Sequence, residues 1–312
     1  MTTVKIERSE LSINHRQKIM LLGSCFAEEV GKRMREDGFN CLVNPFGELY
    51  NPLSVIHALD VLMSGESVQP CDLFYHDGLW HSWLFHGRFS HSDQAVALQQ
   101  MNDSLAQARE YLKGLDVLVL TWGTTRCYYY NDKLVANCHK MPQKFFTSED
   151  ATQAVVTEFM QDTMTRLHKF TRYVQVLMTV SPIRYVSYGL HESQLSKATL
   201  LLSADWLCKV YDGCMHYFPA YEIVMDELRD YRFYAEDMAH PSAQAVQYVY
   251  ERFCDTYLSK EEQQLSLDVR RVMRDMRHRP LHPDSPECQH FLEQLEERKN
   301  KLKQQYPHLK FE

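Results

Sequence analysis

The chain has 312 residues, of which 45% are hydrophobic and 24% are charged, a composition typical of a globular protein with a large core. Its net charge of −7 argues against nucleic acid as a partner, because nucleic-acid surfaces carry a basic patch. No stretch approaches the ~20 apolar residues that cross a bilayer, and residues 1–16 contain no apolar segment of signal-peptide type. The nine cysteines are scattered without a C-x-x-C pair. We therefore expect a reduced, cytoplasmic protein without a membrane span.

The first informative stretch is an apolar run over residues 19–22 that ends at Gly23 and is followed by Ser24. A helical pattern begins directly afterwards and extends over residues 26–37. This order predicts a strand, a tight turn and a helix, with Ser24 at the strand tip where open α/β sheets bind ligands. The N–H groups of the first helical turn suit an oxyanion. The alternative is that Ser24 only caps the helix.

Strands alternate with helices along the rest of the first 258 residues. Further buried strands are predicted at 115–120, 173–180 and 221–225, and further helices at 53–63, 92–112, 152–168, 195–216 and 242–257. The alternation predicts an α/β protein with a mainly parallel sheet that is covered on both faces.

Two hairpins interrupt this alternation. Residues 74–83 place Asp77-Gly78 between two β-prone runs, which is a strong hairpin signal, and residues 128–136 repeat the pattern around Asn131-Asp132. We expect the first hairpin to form a flap that covers the cleft and excludes water.

The composition becomes charged from about Ser259, with helical stretches at 260–277 and 286–304 that are separated by prolines, among them Pro280 and Pro283. We therefore predict an α/β domain over residues 1–258 and a charged helical tail over residues 259–312. A solvated face is the expected role of this tail. The alternative is a partner surface, including contact between two copies of the chain.

The second informative stretch is Asp237-Met238-Ala239-His240, which follows the last predicted strand and precedes a helix. A serine at the tip of the first strand and this Asp-x-x-His pair can converge at one edge of a sheet. A serine that is polarised by an imidazole, with a carboxylate orienting the imidazole, can act as a nucleophile. The Asp-x-x-His pattern alone is weak evidence, because metal sites and chance also produce it.

The chain resembles the GSCFA family, whose namesake string is present at residues 23–27, and through it the SGNH-hydrolase (GDSL-like esterase/lipase) superfamily. The resemblance extends from about residue 4 to 255 and includes Asn44-Pro45-Phe46-Gly47, Trp122-Gly123-Thr124 and Ser181-Pro182. It implies a flavodoxin-like three-layer α/β/α sandwich with hairpin insertions and a C-terminal helical appendage.

The resemblance also implies serine-dependent ester hydrolysis without a cofactor. In the matching positions, Ser24 is the nucleophile, His240 the general base and Asp237 the residue that orients it. The superfamily holds the oxyanion with the N–H of the nucleophile, a glycine N–H and an asparagine side chain. Gly47 is the candidate for the glycine.

The third oxyanion donor is where the chain departs from the superfamily. Residues 123–126 read Gly-Thr-Thr-Arg, where the superfamily has Gly-x-Asn-Asp. A missing oxyanion donor costs ~10²–10³-fold in rate. The hydroxyls of Thr124 and Thr125 and the side chain of Asn137 are the candidate replacements, and a turn position is the alternative role of Asn137.

Several cationic residues are candidates for binding an anionic part of the substrate or for stabilising charge: Arg126, His139, Lys140 and Arg184. A hydrogen-bonded structural role is the alternative for His139, and a solvated position is the alternative for Lys140.

Two further sets of residues invite a chemical role. Cys25 would have a lowered thiol pKa beside a helix N-terminus if it were exposed, and it is an alternative nucleophile. Ser196-Lys197 lies at a predicted helix start, which favours capping or a substrate contact over catalysis. Four histidines recur every five residues around the first hairpin, but without the ligand pairs of a metal site, so we expect no metal there: His76, His81, His86 and His91.

Together these observations predict an SGNH-type serine hydrolase, that is, an esterase that works through an acyl-enzyme. Its expected substrate is a small-molecule or carbohydrate ester, such as an acetyl or short acyl group on a sugar. One alternative is a binding or scaffold protein with weak or no catalysis. Another is an acyltransferase that uses the same residues.

Overall fold

A central parallel sheet organises the protein in the computed structural model, which describes residues 2–6, 10–279, 285–309 and 311. The strands in chain order are β1 Ile19–Gly23, β2 Cys41–Val43, β3 Leu73–His76, β4 Leu79–Ser82, β5 Val117–Trp122, β6 Arg126–Tyr130, β7 Lys133–Val135, β8 Thr147–Asp150, β9 Gln175–Val180 and β10 Met215–Tyr217. The helices are α1 Cys25–Glu36, α2 Pro52–Ser64, α3 Gln94–Leu112, α4 Gln153–Phe170, α5 Leu190–Val210, α6 Ala220–Glu222, α7 Ala243–Tyr257, α8 Lys260–Met276 and α9 Pro286–Gln305.

The sheet has the order β2-β1-β5-β9-β10, and all of its pairings are parallel. This is the flavodoxin-like order, in which the direction of sheet growth reverses beside the first strand. The reversal creates a crevice at the carboxyl ends of β1 and β5, where such sheets bind ligands. The predicted α/β class with a three-layer sandwich is confirmed.

Helices cover both faces of the sheet because its strands are apolar on both sides. Along β1, Met20 and Leu22 face a core built with α2, α3, α4 and α5. The alternate residues Ile19 and Leu21 face a second core built with α1 and α7. Since successive side chains of a strand point to opposite faces, this two-sided burial explains the continuous apolar run in the sequence.

Both predicted hairpins are present beside the sheet. β3 and β4 pair antiparallel around Asp77 and Gly78, whose φ values of +46° and +80° are those of a tight hairpin turn. β6 and β7 pair around Asn131 and Asp132, and β8 adds a third strand on the other side of β6. The aromatic hairpin strands therefore lie outside the parallel sheet.

The predicted strand at 221–225 is wrong. These residues lie in α6 and in a π-helical turn over Ile223–Glu227. The remaining strand of the parallel sheet is β10, and the helix predicted at 195–216 wrongly included the start of this strand. A short apolar run does not distinguish a strand from a buried helical segment by periodicity alone. Here Ile223 and Val224 fill the space between the sheet and α7, and a helical turn places both side chains in that core.

The charged tail packs on the domain through α8. The Arg270 guanidinium binds the buried carboxylate of Asp37 at the end of α1 with two contacts of 2.6 Å, and the Tyr250 hydroxyl donates to the same carboxylate at 2.8 Å. Helices α8 and α9 share a small core with Leu309. The break predicted at Pro280 and Pro283 lies outside the described residues. Within the described ranges, no helix is long and apolar enough to cross a membrane.

Candidate active site

Ser24 lies at the carboxyl tip of β1, directly after a position that only glycine can occupy. Gly23 has a φ of +146°, and a Cβ atom there would come within 2.1 Å of the Thr121 carbonyl oxygen on β5. Ser24 itself is fully buried and occupies the N-cap position of α1, yet its hydroxyl makes no capping bond. Among the described residues, the Oγ atom has no hydrogen-bond partner at all. The capping alternative therefore does not account for this side chain.

The two backbone donors that the resemblance implies are engaged in this structure. The Ser24 N–H donates to the Thr121 carbonyl at 3.2 Å, and the Gly47 N–H donates to the Asn44 carbonyl at 2.8 Å. Asn44 also accepts a bond from the Gly23 N–H through its side chain at 3.0 Å, so the loop that carries Gly47 is fixed beside Ser24. Neither N–H group is free to bind an oxyanion while these bonds are kept.

Asp237 and His240 form a hydrogen-bonded pair. The imidazole Nδ1 lies 2.5 Å from Asp237 Oδ2, while Oδ1 accepts the N–H groups of Ala239 and His240 at 2.9 Å each. These backbone bonds, with the imidazole contact, lower the pKa of Asp237 to about 2. The carboxylate is therefore ionised at neutral pH and can orient the imidazole.

The structure brings His240 together with Asp237 but not with Ser24. The His240 side chain is half exposed, and the Ser24 Oγ bonds to no group in the described part of the chain. The turn that carries His240 is held by several backbone bonds, among them one from the Arg184 N–H to the Ala239 carbonyl at 2.9 Å and one from the Ala235 N–H to the His240 carbonyl at 2.8 Å. The pair thus sits beside the loop that follows β9, with its Nε2 free of a bond to the serine.

The hydroxyls of Thr124 and Thr125 serve local structure. Thr125 donates to Asp150 Oδ1 at 2.8 Å. Thr124 Oγ1 contacts the Tyr188 hydroxyl and accepts from the Arg126 N–H at 3.1 Å. Both hydroxyls are engaged in hydrogen bonds in this structure.

Asn137 and His139 lie against the first hairpin. The Asn137 side chain accepts the N–H of His139 at 2.8 Å, which is a turn contact. His139 Nε2 lies 2.8 Å from the Ser82 carbonyl, and its ring meets Phe74 edge to face. Burial lowers the pKa of His139 to about 4, so the ring is neutral near pH 7. Both side chains stabilise the hairpin in this structure.

Arg184 and Lys197 bring positive charge to the tips of β5 and β9. Arg184 forms no ion pair with a carboxylate in the described part of the chain, and its buried Nε has no partner there. Lys197 is 1% exposed and donates to the carbonyls of Gly123 at 2.5 Å and Ser181 at 2.6 Å. Burial, with the nearby Arg184 charge, lowers the pKa of Lys197 to about 7.

Ser196 does not cap a helix, contrary to the prediction. Helix α5 begins at Leu190, so Ser196 lies inside it and accepts the Thr125 N–H at 2.8 Å. The sequence placed the helix start too late because residues before 195 lack a clear apolar period. Ser196 therefore fixes the loop after β5.

Cys25 is a poor nucleophile in this setting. Burial, together with the Glu48 charge, raises the pKa of its thiol to about 11, which outweighs the helix N-terminus. Within the described residues, no group of three or more His, Cys, Asp or Glu side chains is arranged to hold a metal ion. His81, for example, bonds to the Ser90 hydroxyl and the His76 carbonyl.

Sequence reasoning missed Tyr185, whose hydroxyl is buried and lacks a partner among the described residues. The hydroxyl lies so close to Gly123 that a Cβ atom there would be 2.2 Å away. The Lys197 ammonium lies 5.2 Å from the Tyr185 ring centre. Only the position of Tyr185 in the loop after β9 could have indicated a role.

A separate groove of about 900 Å³ lies between α2 and the two hairpins. Its walls include Phe74, Trp83 and Tyr130. None of the residues predicted for catalysis lines this groove, so it is distinct from the edge of the sheet that carries Ser24.

The fold and the site define a flavodoxin-like α/β protein with a serine at the sheet's switch point. Residues 18–253 match the GSCFA family, and residues 269–312 match the C-terminal domain of GSCFA domain proteins. The first match covers most of the chain, and the chain belongs to the GSCFA family.

No curated protein matches the chain. Among solved structures, one similar chain is an acetyl xylan esterase (Est2A) from the rumen bacterium Butyrivibrio proteoclasticus, with 10% identity and a TM-score of 0.36. The similarity covers 77% of this chain and 63% of the esterase, so it spans less than two thirds of that protein. Identity and TM-score at this level assign no activity to this chain.

Proposed function

We propose that the protein is an SGNH-type serine hydrolase that cleaves carboxylic esters. The observation that carries the proposal is the Ser24 hydroxyl, which is fully buried and unpaired within the described residues, at the tip of β1 beside the switch point. A buried hydroxyl without a partner costs about 1–3 kcal/mol, so its retention at a ligand-binding edge favours a chemical role. Ser54 on α2 is also unpaired, so the position of Ser24 matters as much as its lack of a partner.

In the proposed reaction, the Ser24 Oγ attacks the acyl carbon, and its proton passes to His240 Nε2. The carbonyl electron pair moves to the oxygen, and then returns as the alkoxide leaves with the proton from His240. Water hydrolyses the resulting acyl-enzyme by the same route. Asp237, ionised and bonded to Nδ1, holds the imidazole and stabilises its positive charge.

The proposal requires His240 to approach Ser24 when substrate binds. Catalytic hydrogen bonds are often long in free enzymes and tighten in the substrate complex. The turn with His240 is at the surface, and the dyad within it is maintained by the turn's own backbone bonds. The dyad can therefore move as a unit without losing the Asp237–His240 bond.

For the substrate, we propose an acetyl or short acyl ester of a small molecule or carbohydrate. This class follows from the resemblance to the superfamily described above. The Arg184 and Lys197 charges beside the strand tips support stabilisation of a negative oxygen in the same region.

A second candidate function is a binding or scaffold protein that retains the fold. Two observations favour it: Ser24 and His240 are not bonded, and the N–H groups of Ser24 and Gly47 are both engaged. In this case Ser24 would have no more reactivity than an ordinary serine.

A fluorophosphonate probe distinguishes the two functions. We expect the intact protein to be labelled, with the adduct located on Ser24 by peptide mass spectrometry. Ser24→Ala and His240→Ala should lose the labelling. Ser54→Ala is the matched control, because it removes another buried and unpaired serine hydroxyl, and it should label normally. Absence of an adduct on Ser24 in the folded protein would favour the scaffold function.

A further inference from the structure

The hydroxyl groups of the loop after β5 are engaged in hydrogen bonds within the protein. Residues 123–126 supply no asparagine, and the hydroxyls of Thr124 and Thr125 are bonded elsewhere. If Ser24 reacts as proposed, the negative oxygen that forms beside β5 needs a donor from another element.

Tyr185 provides such a donor from the loop after β9. Its hydroxyl reaches Gly123, the residue directly after β5, and β5 is the neighbour of β1 in the sheet. The ring meets Tyr50 edge to face, and the Tyr50 carbonyl in turn accepts the N–H groups of Gly123 and Thr124. These contacts fix the ring, so the hydroxyl is held at the same strand tips as Ser24.

Three buried hydroxyls near these strand tips lack partners among the described residues, those of Ser24, Tyr185 and Thr179. Buried polar groups are usually hydrogen-bonded, so unpaired hydroxyls at neighbouring positions favour a polar group of a ligand as their partner.

We propose that the Tyr185 hydroxyl donates a hydrogen bond to the oxyanion that forms when Ser24 attacks an ester, in the role of the missing asparagine. The inference rests on the proposed ester hydrolysis at Ser24. The phenolic proton is shared and not transferred: the new Oγ–C bond places the electron pair on the carbonyl oxygen, and the Ser24 proton goes to His240.

The surroundings of Tyr185 suit this role. Burial raises the pKa of the phenol well above its ordinary value, so the hydroxyl keeps its proton at neutral pH. The side-chain nitrogen of Lys197 lies 5.2 Å from the centre of the Tyr185 ring.

The test compares Tyr185→Phe with the intact protein in hydrolysis of 4-nitrophenyl acetate. We expect kcat to fall ~10²–10³-fold with little change in KM, as for loss of one oxyanion donor. The urea midpoint should be equal or higher, because the variant removes an unpaired buried hydroxyl. Tyr188→Phe is the matched control, since Tyr188 stacks on Tyr185 but bonds to Thr124, and it should stay within threefold of the intact protein.

The outcomes separate the inference from the proposed function. A Tyr185→Phe variant with wild-type kcat, or with a change in KM alone, would overturn the inference while the hydrolase function stands. No hydrolysis and no Ser24 adduct in the intact protein would overturn both. If Tyr185→Phe does not fold, Tyr185→3-fluorotyrosine keeps the hydroxyl and should retain kcat within threefold, and a 10²-fold loss there would refute the donor role.

Discussion

Lys197 is buried at the tips of β5 and β9, and we expect the stability of the protein to depend on pH through this one side chain. Its ammonium donates to two carbonyl oxygens, and it has no carboxylate partner in the described ranges. The perturbation we consider is Lys197→Met, which keeps most of the side-chain volume and removes the ionisable group.

The magnitude follows from the shifted pKa of Lys197, which burial lowers from 10.5 in the unfolded chain to about 7. Between these two values the unfolded chain holds a proton that the folded protein has released. The free energy of unfolding therefore rises with pH, by about 1.4 kcal/mol per pH unit. The penalty for burying this lysine is complete below pH 7 and diminishes above it, by about 2–3 kcal/mol from pH 6 to pH 9.

Urea unfolding at pH 6, 7, 8 and 9 measures this contribution. The free energy of unfolding of the intact protein minus that of Lys197→Met should rise by about 2–3 kcal/mol over the range, because other titrating groups cancel in the difference. Lys209→Met is the control: Lys209 is an exposed lysine of the same helix, and its difference should stay constant. A constant difference for Lys197→Met as well would refute the reasoning, because the lysine would then keep its charge in the fold.

Three further results are expected. Arg270→Met should lower the free energy of unfolding by about 3–5 kcal/mol in urea, because it leaves a buried carboxylate of α1 unpaired, and a loss below 1 kcal/mol would contradict the described contact. Gly123→Ala should cost about 1–3 kcal/mol through overpacking, and less in combination with Tyr185→Phe; additive effects of the two changes would argue against their contact. Iodoacetamide at pH 7.5 should modify the exposed Cys71 well before Cys25, as followed by mass spectrometry, since the Cys25 thiol stays protonated; equal rates would contradict the raised pKa.

The sequence predicts correctly those elements whose structure is determined by residues close together in the chain. The apolar runs of β1, β5 and β9 are buried on both faces, and Asp77-Gly78 has the backbone angles that a tight hairpin turn requires. Strand β10 has only three residues, and its assignment depends on pairing with β9 rather than on its own pattern. The apolar run at 221–225 resembles a strand more closely than the sequence of β10 does. This explains why a strand is predicted at 221–225 and not at β10.

The candidate site also contains local contacts, which the sequence predicts, and contacts between distant residues, which it does not. Ser24 after Gly23 is a local turn, and Asp237 meets His240 because the two residues are three positions apart. The partners of Thr125 are Asp150 and Ser196, which lie 25 and 71 residues along the chain. Such contacts exist only after the loops pack against each other, so no local pattern could show that Thr125 is engaged.

Tyr185 shows the same limit for a residue that sequence reasoning passed over. Its hydroxyl meets Gly123, 62 positions earlier in the chain, and the lack of a bonding partner is a property of the packed fold. An aromatic residue in a loop has many equally good explanations until its neighbours are known.

Helix α1 limits where the chain can gain or lose residues. It begins directly after Ser24, and its twelve residues end at Glu36, next to Asp37, which Arg270 holds. Each residue of a helix adds 1.5 Å and about 100° of rotation, so a single insertion would turn Asp37 away from Arg270 or Ser24 away from the strand tips. Natural insertions and deletions are therefore expected in the hairpins and loops, while α1 acts as a spacer of fixed length.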